Sequence, residues 1–441
     1  MTVLEGASRI GGKLSASEVA GVPMDEGAEA LLARRPEGID LITATSLGGE
    51  LVPAGVASSA IYSRGALRSL PRRQFMGVPA DIDELAATGV LSGAGIARAK
   101  AETVRAPGDG DVSVTEYVGS RLGTEVVDRL VDPLLGGVYA GRSADLSFQA
   151  TLAPLAAAAR KHETLTEAVA ALLPPPPRAP RVDNGTKPAP VFVSLTTGLG
   201  ALPEAVAKAA GADVRTGAMV RELERTPAGW RLTIGSAADP EYLDADAVIL
   251  AAPAAPASRL LSRTTPAASA ALAAIPYSSM AIITLAFRAA DFPEAQLQRS
   301  GYLVPAVEGQ AVKAATFSTV KWPHLAKRAP VHVVRCSVGR SGEVALLQRD
   351  DEDLAALAAA ELAAAIGTGG APVASRVTRW GGALPQYNVG HAGRVAAIRS
   401  AVGDQPGLAV AGAAYDGVGI PACVATAKSA AGQVLAYLRP R

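Results

Sequence analysis

The first thirteen residues of the chain combine a short apolar strand, an acidic residue and a pair of glycines. The run reads Met1-Thr-Val-Leu-Glu5-Gly-Ala-Ser-Arg9-Ile-Gly11-Gly12-Lys13. An apolar strand that ends in a carboxylate is typical of the second strand of a dinucleotide-binding unit, because that carboxylate accepts hydrogen bonds from ribose hydroxyls. The glycines allow the backbone to approach a bulky ligand closely. The pattern indicates an α/β chain that binds a nucleotide cofactor.

The first half of this nucleotide-binding pattern is absent from the sequence. A G-x-G-x-x-G turn normally lies about 20 residues before the acidic residue and holds the pyrophosphate at a helix N-terminus. Here Glu5 follows closely on Met1. We therefore expect a Rossmann-like domain that is truncated at its first strand, turn and helix, with Met1 as a misassigned start. An inactive truncated form is the corresponding alternative.

Near the other end, a short apolar strand leads into a glycine-rich turn and an Ala-rich helix that reaches about Leu438. The turn reads Gly412-Ala-Ala-Tyr-Asp-Gly417-Val-Gly-Ile-Pro-Ala-Cys423. A glycine turn before a helix presents backbone N–H groups and the positive end of the helix dipole to an anion or to an electron-rich ring. A strand, turn and helix without a ligand would show the same pattern, so this segment alone leaves both interpretations open.

Taken together, these motifs resemble a family of flavoproteins. V-L-E-x-x-x-R-x-G-G-K, the later D-x-G-A and the segment Y-D-G-V-G-I-P are similar to the oxygen-dependent protoporphyrinogen and coproporphyrinogen oxidases, particularly their Gram-positive branch. Interior segments resemble the same family in the same order, so the similarity covers nearly the whole chain. The clearest of these segments are 132–141, 195–202 and 384–391.

The resemblance implies an FAD-dependent oxidase of haem biosynthesis. Such an enzyme carries out the six-electron oxidation of coproporphyrinogen III to coproporphyrin III with O2 and releases H2O2, and the cofactor carries the redox chemistry. Protoporphyrinogen IX is the alternative substrate, and an amine oxidase or desaturase-like flavoenzyme is the alternative from another class. The sequence offers no convincing triad or acid–base pair, so catalytic residues stay unassigned. We interpret His391, within a family-like segment, as structural.

The resemblance also implies which residues would contact FAD. The backbone of Val220 would meet the adenine, Lys13 the phosphates or ribityl chain, and Trp380 would lie along the isoalloxazine, with core packing as the alternative for Trp380. The predicted cofactor-binding set is Glu5, Gly6, Arg9, Gly12, Lys13, Gly27, Ala28, Glu29, Ala30, Val220, Trp380, Gly412, Val418, Gly419 and Ile420. Candidate cations for the substrate carboxylates, each with a solvated surface role as the alternative, are Arg64, Arg72, Arg73, Lys321 and Arg340.

The composition favours a globular protein and argues against nucleic-acid binding, a membrane span and a metal site. The 441 residues, 49% hydrophobic and 19% charged, favour a globular protein of two domains, and a net charge of +1 gives no case for nucleic acid. No apolar run reaches the roughly 20 residues that span a bilayer, and no signal peptide is evident. Cys336 and Cys423 support neither a disulfide framework nor a metal site. We expect a cytoplasmic enzyme; product transfer to ferrochelatase and a peripheral membrane contact stay open.

We predict an α/β fold class, which becomes α+β when the whole chain is considered. Each domain is expected to be built from segments that are separated in the sequence. The FAD-binding domain comprises 1–70, 191–260 and 385–441; the substrate-binding domain has a helical part, 71–173, and a sheet part, 261–384; a Pro-rich loop covers 174–190. Apolar spacing predicts helices over 114–122 and 125–135, and an Ala- and Leu-rich run predicts a helix over about 353–366 that ends at Gly367. Strong strands are predicted over 281–287 and 331–338.

Overall fold

A computed structural model describes residues 1–56, 58–104, 110–174 and 190–439 of the chain. The predicted Pro-rich loop, 174–190, lies outside these residues except for its two ends. The fold is mixed α/β with one large mixed sheet, as the sequence predicts. No helix within the described ranges has both the length and the apolar character needed to cross a bilayer.

The large sheet has seven strands and contains both strands predicted for the second domain. Its strand Tyr277–Arg288 lies between two neighbours and is buried continuously over 281–287, as expected for a strand covered on both faces. Neighbouring strands are antiparallel except Gly301–Leu303 beside Ala60–Ser63. The spatial order is Ala374–Pro385, Tyr277–Arg288, Val331–Val338, Val312–Phe317, Gly301–Leu303, Ala60–Ser63 and Ala66–Ser69.

The helix Asp351–Ile366 packs against this sheet. Its buried positions Leu354, Ala358, Leu362 and Ile366 recur every four residues, so one helical face covers the sheet core. Three acidic residues in its first turn interact favourably with the positive end of the helix dipole. Gly367, with φ +75°, ends the helix in the left-handed conformation that favours glycine. The predicted boundary at Gly367 is confirmed.

Residues between about 80 and 173 form a helical region. Its core consists of buried Leu and Val side chains from successive short helices. The predicted helix over 125–135 contains a π-helical turn, Val127–Val131, and is continuous with its neighbours on both sides. The α-helices are Ile82–Thr88, Gly93–Lys100, Val114–Leu122, Thr124–Val126, Asp132–Tyr139, Phe148–Thr151, Ala153–Ala159 and Leu165–Leu172.

The first helix of this region depends on a capping carboxylate. One oxygen of Asp81 accepts hydrogen bonds from the backbone N–H groups of Asp83, at 2.8 Å, and Glu84, at 3.0 Å. We expect Asp81→Ala to lower the free energy of unfolding by about 1 kcal/mol, the usual cost of losing a cap. Urea denaturation measures this change. Asp81→Asn, which can still cap, should retain most of the stability; an equal loss in both variants would contradict the capping role.

The amino- and carboxy-terminal parts of the chain form short parallel strand pairs. Thr2–Leu4 pairs with Asp213–Arg215, and Val248–Leu250 pairs with Leu408–Val410. Two three-stranded antiparallel sheets lie in the same part of the molecule. The first contains Val220–Thr226, Gly229–Gly235 and Pro240–Ala245, in this spatial order. The second contains Leu31–Leu32, Phe192–Leu195 and Leu51–Pro53, with Phe192–Leu195 in the middle. Small hairpins pair Ala16–Val19 with Val22–Asp25 and Gln74–Phe75 with Val78–Pro79.

Helices pack around these strands. The longest is the carboxy-terminal helix Ile420–Leu438, which follows the strand Leu408–Val410 and contacts Val248–Leu250. The remaining helices outside the helical region are Pro36–Thr43, Leu202–Ala209, Ala254–Leu261, Pro266–Ala273, Ser318–Lys321, Pro323–Ala326 and His391–Gly403. Ala60–Ser63 and Ala66–Ser69, which the sequence assigns to the nucleotide-binding domain, are hydrogen-bonded into the seven-stranded sheet. The division into domains itself stays a prediction.

Candidate functional site

Glu5 lies at the end of the first strand and is fixed by three hydrogen bonds. Its backbone N–H donates to the Arg215 carbonyl at 2.9 Å, and its own carbonyl accepts from Ala218 at 2.8 Å. One carboxylate oxygen accepts from the Ala7 N–H at 2.7 Å. A carboxylate has two oxygens, so the second can accept a hydrogen bond from a hydroxyl of a ligand. Glu5 therefore keeps one carboxylate oxygen that can accept a hydrogen bond from a ligand hydroxyl.

The next turn is shaped by Arg9 and the glycine pair. The exposed Arg9 guanidinium donates to the carbonyls of Gly12 at 2.6 Å, Leu14 at 3.1 Å and Ile10 at 3.2 Å, so it stabilises the turn. A Cβ on Gly11 would lie 2.4 Å from Cγ of Pro203. A Cβ on Gly12, which has φ +54°, would have no described atom within 4 Å besides its chain neighbours. Gly12 is thus open on the side where a ligand can approach.

Lys13 brings this turn close to the carboxy-terminal helix. Its half-buried side chain lies near Cys423 in the first turn of that helix, close enough for each group to influence the pKa of the other. Leu14 and Ile420 pack on one apolar cluster, and this packing also holds the turn near the carboxy-terminal helix. Burial lowers the pKa of Lys13, while the Cys423 sulfur opposes that shift. The two ends of the sequence that carry the glycine motifs therefore meet in the structure.

The carboxy-terminal helix begins without a side-chain cap. Gly419 is its N-cap, and no side chain among the described residues accepts the N–H groups of its first turn. In the preceding turn, the Gly412 N–H donates to the hydroxyl of Thr426 at 3.0 Å, and Val418 packs against the helical region. A helix of 19 residues with free N–H groups at its start presents a positive dipole end. An anion or an electron-rich ring edge fits this position.

Residues 26–28 lie between the glycine pair and Trp380. The Ala28 N–H donates to the Lys13 carbonyl at 3.3 Å, and the Trp380 indole N–H donates to the Glu26 carbonyl at 3.0 Å. A Cβ on Gly27 would lie 1.9 Å from the Lys13 carbonyl oxygen and 3.3 Å from Cζ2 of Trp380. The structure therefore brings Lys13, Gly27 and Trp380 into direct contact.

Glu29, predicted to contact the cofactor, forms a buried ion triad instead of a free carboxylate. It pairs with Lys321 at 2.8 Å and with Arg335 at 2.6 Å, and all three side chains are at most 14% exposed. Burial alone would raise the pKa of Glu29, but the two cations hold it at about 2. Arg335 lies in the seven-stranded sheet and also donates to the Gly27 carbonyl at 2.5 Å. The triad joins the segment 27–29 to that sheet. Ala30 packs on the neighbouring apolar cluster.

The remaining predicted residues lie beside Glu5. The Met219 side chain contacts Gly6, since a Cβ on Gly6 would lie 2.8 Å from its Cε. Val220 follows Met219, pairs with Ile234 in the antiparallel sheet and packs against the core beneath it. Glu5, Gly6 and Val220 thus form one group, and Lys13, Gly27, Trp380 and Ile420 form another. The segment 5–13 connects the two groups, which suits an elongated ligand such as a dinucleotide.

Two functional candidates were missed by the sequence analysis. Asp25 is 8% exposed, accepts the N–H groups of Leu199 at 3.0 Å and Gly200 at 2.9 Å, and has its pKa raised by burial to about 6. Its place in the motif D-x-G-A is the available signal. The second is Tyr387, whose hydroxyl contacts the glycine turn before the carboxy-terminal helix. Its place in the family-like segment 384–391 is the available signal.

His391 and most of the candidate cations contact other residues of the protein. His391 is 1% exposed and stacks on Tyr387 with ring centroids 3.8 Å apart, and burial lowers its pKa to about 4. Lys321 is held by Glu29, and Arg340 donates to the carbonyls of Val304 and Gln310. Arg64 donates to the Leu91 carbonyl and Arg73 to the Pro174 carbonyl, whereas Arg72 is exposed. These contacts do not single out a cation for substrate.

Known proteins resemble this chain over nearly its whole length. The profile of the family described as flavin containing amine oxidoreductase matches residues 1–435. The coproporphyrinogen III oxidase of Mycobacterium leprae is 38% identical over 100% of this chain and 92% of its own length. The coproporphyrinogen III oxidase of Bacillus subtilis is 30% identical over 99% and 92%. A crystal structure titled as a putative protoporphyrinogen oxidase from Exiguobacterium sp. 255-15 superposes with a TM-score of 0.81 at 30% identity. The match covers 97% of this chain and 91% of that one.

Proposed function

The chain belongs to the family of flavin-containing amine oxidoreductases, and we propose that it oxidises coproporphyrinogen III to coproporphyrin III. It is an oxidoreductase of the porphyrinogen oxidase type. Its cofactor is a flavin, which we assign as FAD, and its electron acceptor is O2, which leaves as H2O2. The reaction belongs to haem biosynthesis.

One observation carries the assignment of cofactor to this site. The turn that contains the open Gly12 and the uncapped start of the helix Ile420–Leu438 approach each other where Leu14 and Ile420 pack on one apolar cluster, with Lys13 near Cys423. A phosphate or ring edge between them would find backbone N–H groups, a helix dipole and an ammonium within one small region. We infer a discontinuous, Rossmann-like flavin-binding part built from both ends of the chain.

The residues present fit FAD. When bound, FAD supplies the two-electron redox chemistry that no side chain provides. Glu5 would hold the ribose of the adenosine, beside the backbone of Val220. Gly12 and Lys13 would hold the middle of the cofactor, and the turn Val418–Gly419–Ile420 its flavin end. Trp380, fixed by its hydrogen bond to the Glu26 carbonyl, would orient the ring.

The proposed substrate is a porphyrinogen with four propionates. The curated relatives named above carry the name coproporphyrinogen III oxidase, and the ending I-P-A-C at 420–423 resembles the Gram-positive enzymes. Protoporphyrinogen IX, with two propionates and two vinyl groups, is the second candidate. We assign no cation to the propionates.

Anaerobic mixing tests both the activity and the substrate. We expect coproporphyrinogen III to bleach the flavin absorption of the purified chain, and readmitted O2 to restore it with release of H2O2. Protoporphyrinogen IX should reduce the flavin at least tenfold more slowly, and a primary amine should not reduce it. Faster bleaching by protoporphyrinogen IX would reverse the substrate assignment. Bleaching by the amine alone would replace the proposed function with an amine oxidase.

A further inference from the structure

Tyr387 lies at the junction between the helical region and the glycine turn. It follows the strand Ala374–Pro385 and precedes the helix His391–Gly403. Its ring is 2% exposed, belongs to the core of the helical region, and has its centroid 5.4 Å from that of Tyr139. The ring is therefore fixed by packing on the side of the helical region.

The hydroxyl of Tyr387 closes the glycine turn. It accepts the backbone N–H of Gly417 at 2.7 Å and donates to the Ala413 carbonyl at 2.6 Å. Gly417 has φ +141°, a conformation that L side chains rarely adopt, and a Cβ there would lie 2.9 Å from Cβ of Ala422. One phenol oxygen thus bridges two points of the turn that leads to Val418 and the helix start.

The backbone of Tyr387 is fixed equally firmly. Its carbonyl accepts the N–H of Ser147 at 2.8 Å, and Ser147 caps the helix Phe148–Thr151. The neighbouring Gln386 amide donates to the Tyr139 carbonyl at 2.7 Å, at the end of another helix of the same region. A displacement of these helices would consequently move Tyr387, and with it the turn.

The bridge requires a neutral phenol. A tyrosinate has no proton to donate to Ala413, and phenylalanine can neither donate nor accept. Burial raises the pKa of Tyr387 well above its usual range, so the phenol is neutral at neutral pH. Both hydrogen bonds can therefore exist together.

We propose that Tyr387 is a positioning residue that couples the helical region to the flavin-contacting turn. It would set the conformation of the turn 412–419, and it would pass a change in the helical region, caused by a porphyrin bound there, to the cofactor site. This inference rests on the proposed function for the identity of both ligands, and on the predicted substrate-binding domain, which includes 71–173, for the place where the porphyrin binds. By linkage, the porphyrin must then change the affinity for FAD, and FAD the affinity for the porphyrin, by the same factor.

Titration of the flavin-free protein with FAD, with and without the product coproporphyrin III, tests the coupling. In the wild type we expect the porphyrin to change the dissociation constant for FAD by roughly fivefold or more. In Tyr387→Phe we expect FAD affinity to fall roughly tenfold and the porphyrin effect to disappear. Tyr302→Phe is the matched control, because the Tyr302 hydroxyl is buried without a partner among the described residues; it should keep the wild-type ratio.

The outcomes separate the inference from its premise. A porphyrin effect that persists unchanged in Tyr387→Phe, or is absent from the wild type, overturns the coupling. A wild type that binds FAD and porphyrin but does not oxidise coproporphyrinogen III overturns the proposed function and leaves the FAD titration as the test of Tyr387. If Tyr387→Phe does not fold, Gly417→Ala perturbs the same bridge from the turn and should abolish the same effect.

Discussion

Replacing Gly27 with alanine should lower the affinity for FAD by roughly 100-fold, which is about 2.7 kcal/mol. The added Cβ would lie 1.9 Å from the Lys13 carbonyl oxygen. This overlap is with backbone, so no side-chain rotation relieves it, and the Lys13 turn must move away. Lys13 and Gly12 would then leave the position in which they face the start of the carboxy-terminal helix.

Fluorescence titration of the flavin-free variant measures the effect. Gly49→Ala is the matched control, since a Cβ on Gly49 meets no described atom within 4 Å apart from its chain neighbours. That variant should bind FAD like the wild type. Wild-type affinity in Gly27→Ala would show that the contact between residues 13 and 27 is unimportant for the cofactor, and it would remove Gly27 from the site.

Replacing Glu29 with glutamine should lower the free energy of unfolding by about 3–5 kcal/mol, the usual cost of removing one partner from a buried ion pair. The side chain keeps its shape but loses its charge. Lys321 and Arg335 would stay buried beside a neutral amide, and both would lose their charge partner. Glu37→Gln is the control, because Glu37 pairs with Arg35 at the exposed surface, and it should change stability little.

The stability difference between the wild type and Glu29→Gln should depend on pH. The pKa of Glu29 is held at about 2 in the folded protein, below its ordinary value of 4.5. A lowered carboxyl pKa stabilises the fold fully above the unfolded value and loses this effect as pH falls through the folded value. The stability difference between wild type and Glu29→Gln should therefore be constant near neutral pH and shrink between about pH 4.5 and 2. Urea denaturation across this range measures it, and a constant difference would contradict the ion triad.

Local patterns predicted those parts of the fold that depend on neighbouring residues. The helix Asp351–Ile366 and its end at Gly367 follow from an Ala- and Leu-rich run and a glycine stop. The long strands Tyr277–Arg288 and Val331–Val338 follow from runs of β-branched residues. The pairing of Ala60–Ser63 with Gly301–Leu303 was not predictable, because it joins segments far apart in sequence and nothing local encodes the partner.

The candidate site shows the same limit. Motifs located the glycine pair and the glycine turn, and the shared apolar cluster of Leu14 and Ile420 brings their surroundings together. The predicted cofactor role of Glu29 came from its place directly after the motif D-x-G-A and stays a prediction, whereas its partners Lys321 and Arg335 lie 292 and 306 positions further along the chain. Motif position identifies a neighbourhood of the site but does not decide which side chains face the ligand, since that depends on long-range charge pairing.

The ion triad has a consequence for engineering. Glu29 directly follows the motif D-x-G-A near the amino terminus, whereas Arg335 lies in the seven-stranded sheet and Lys321 in the short helix Ser318–Lys321. A chimera that took the seven-stranded sheet from a relative would bring foreign residues opposite Glu29. Grafting this sheet, or retargeting the enzyme to another macrocycle, therefore requires that the carboxylate and its two cations be exchanged as one unit.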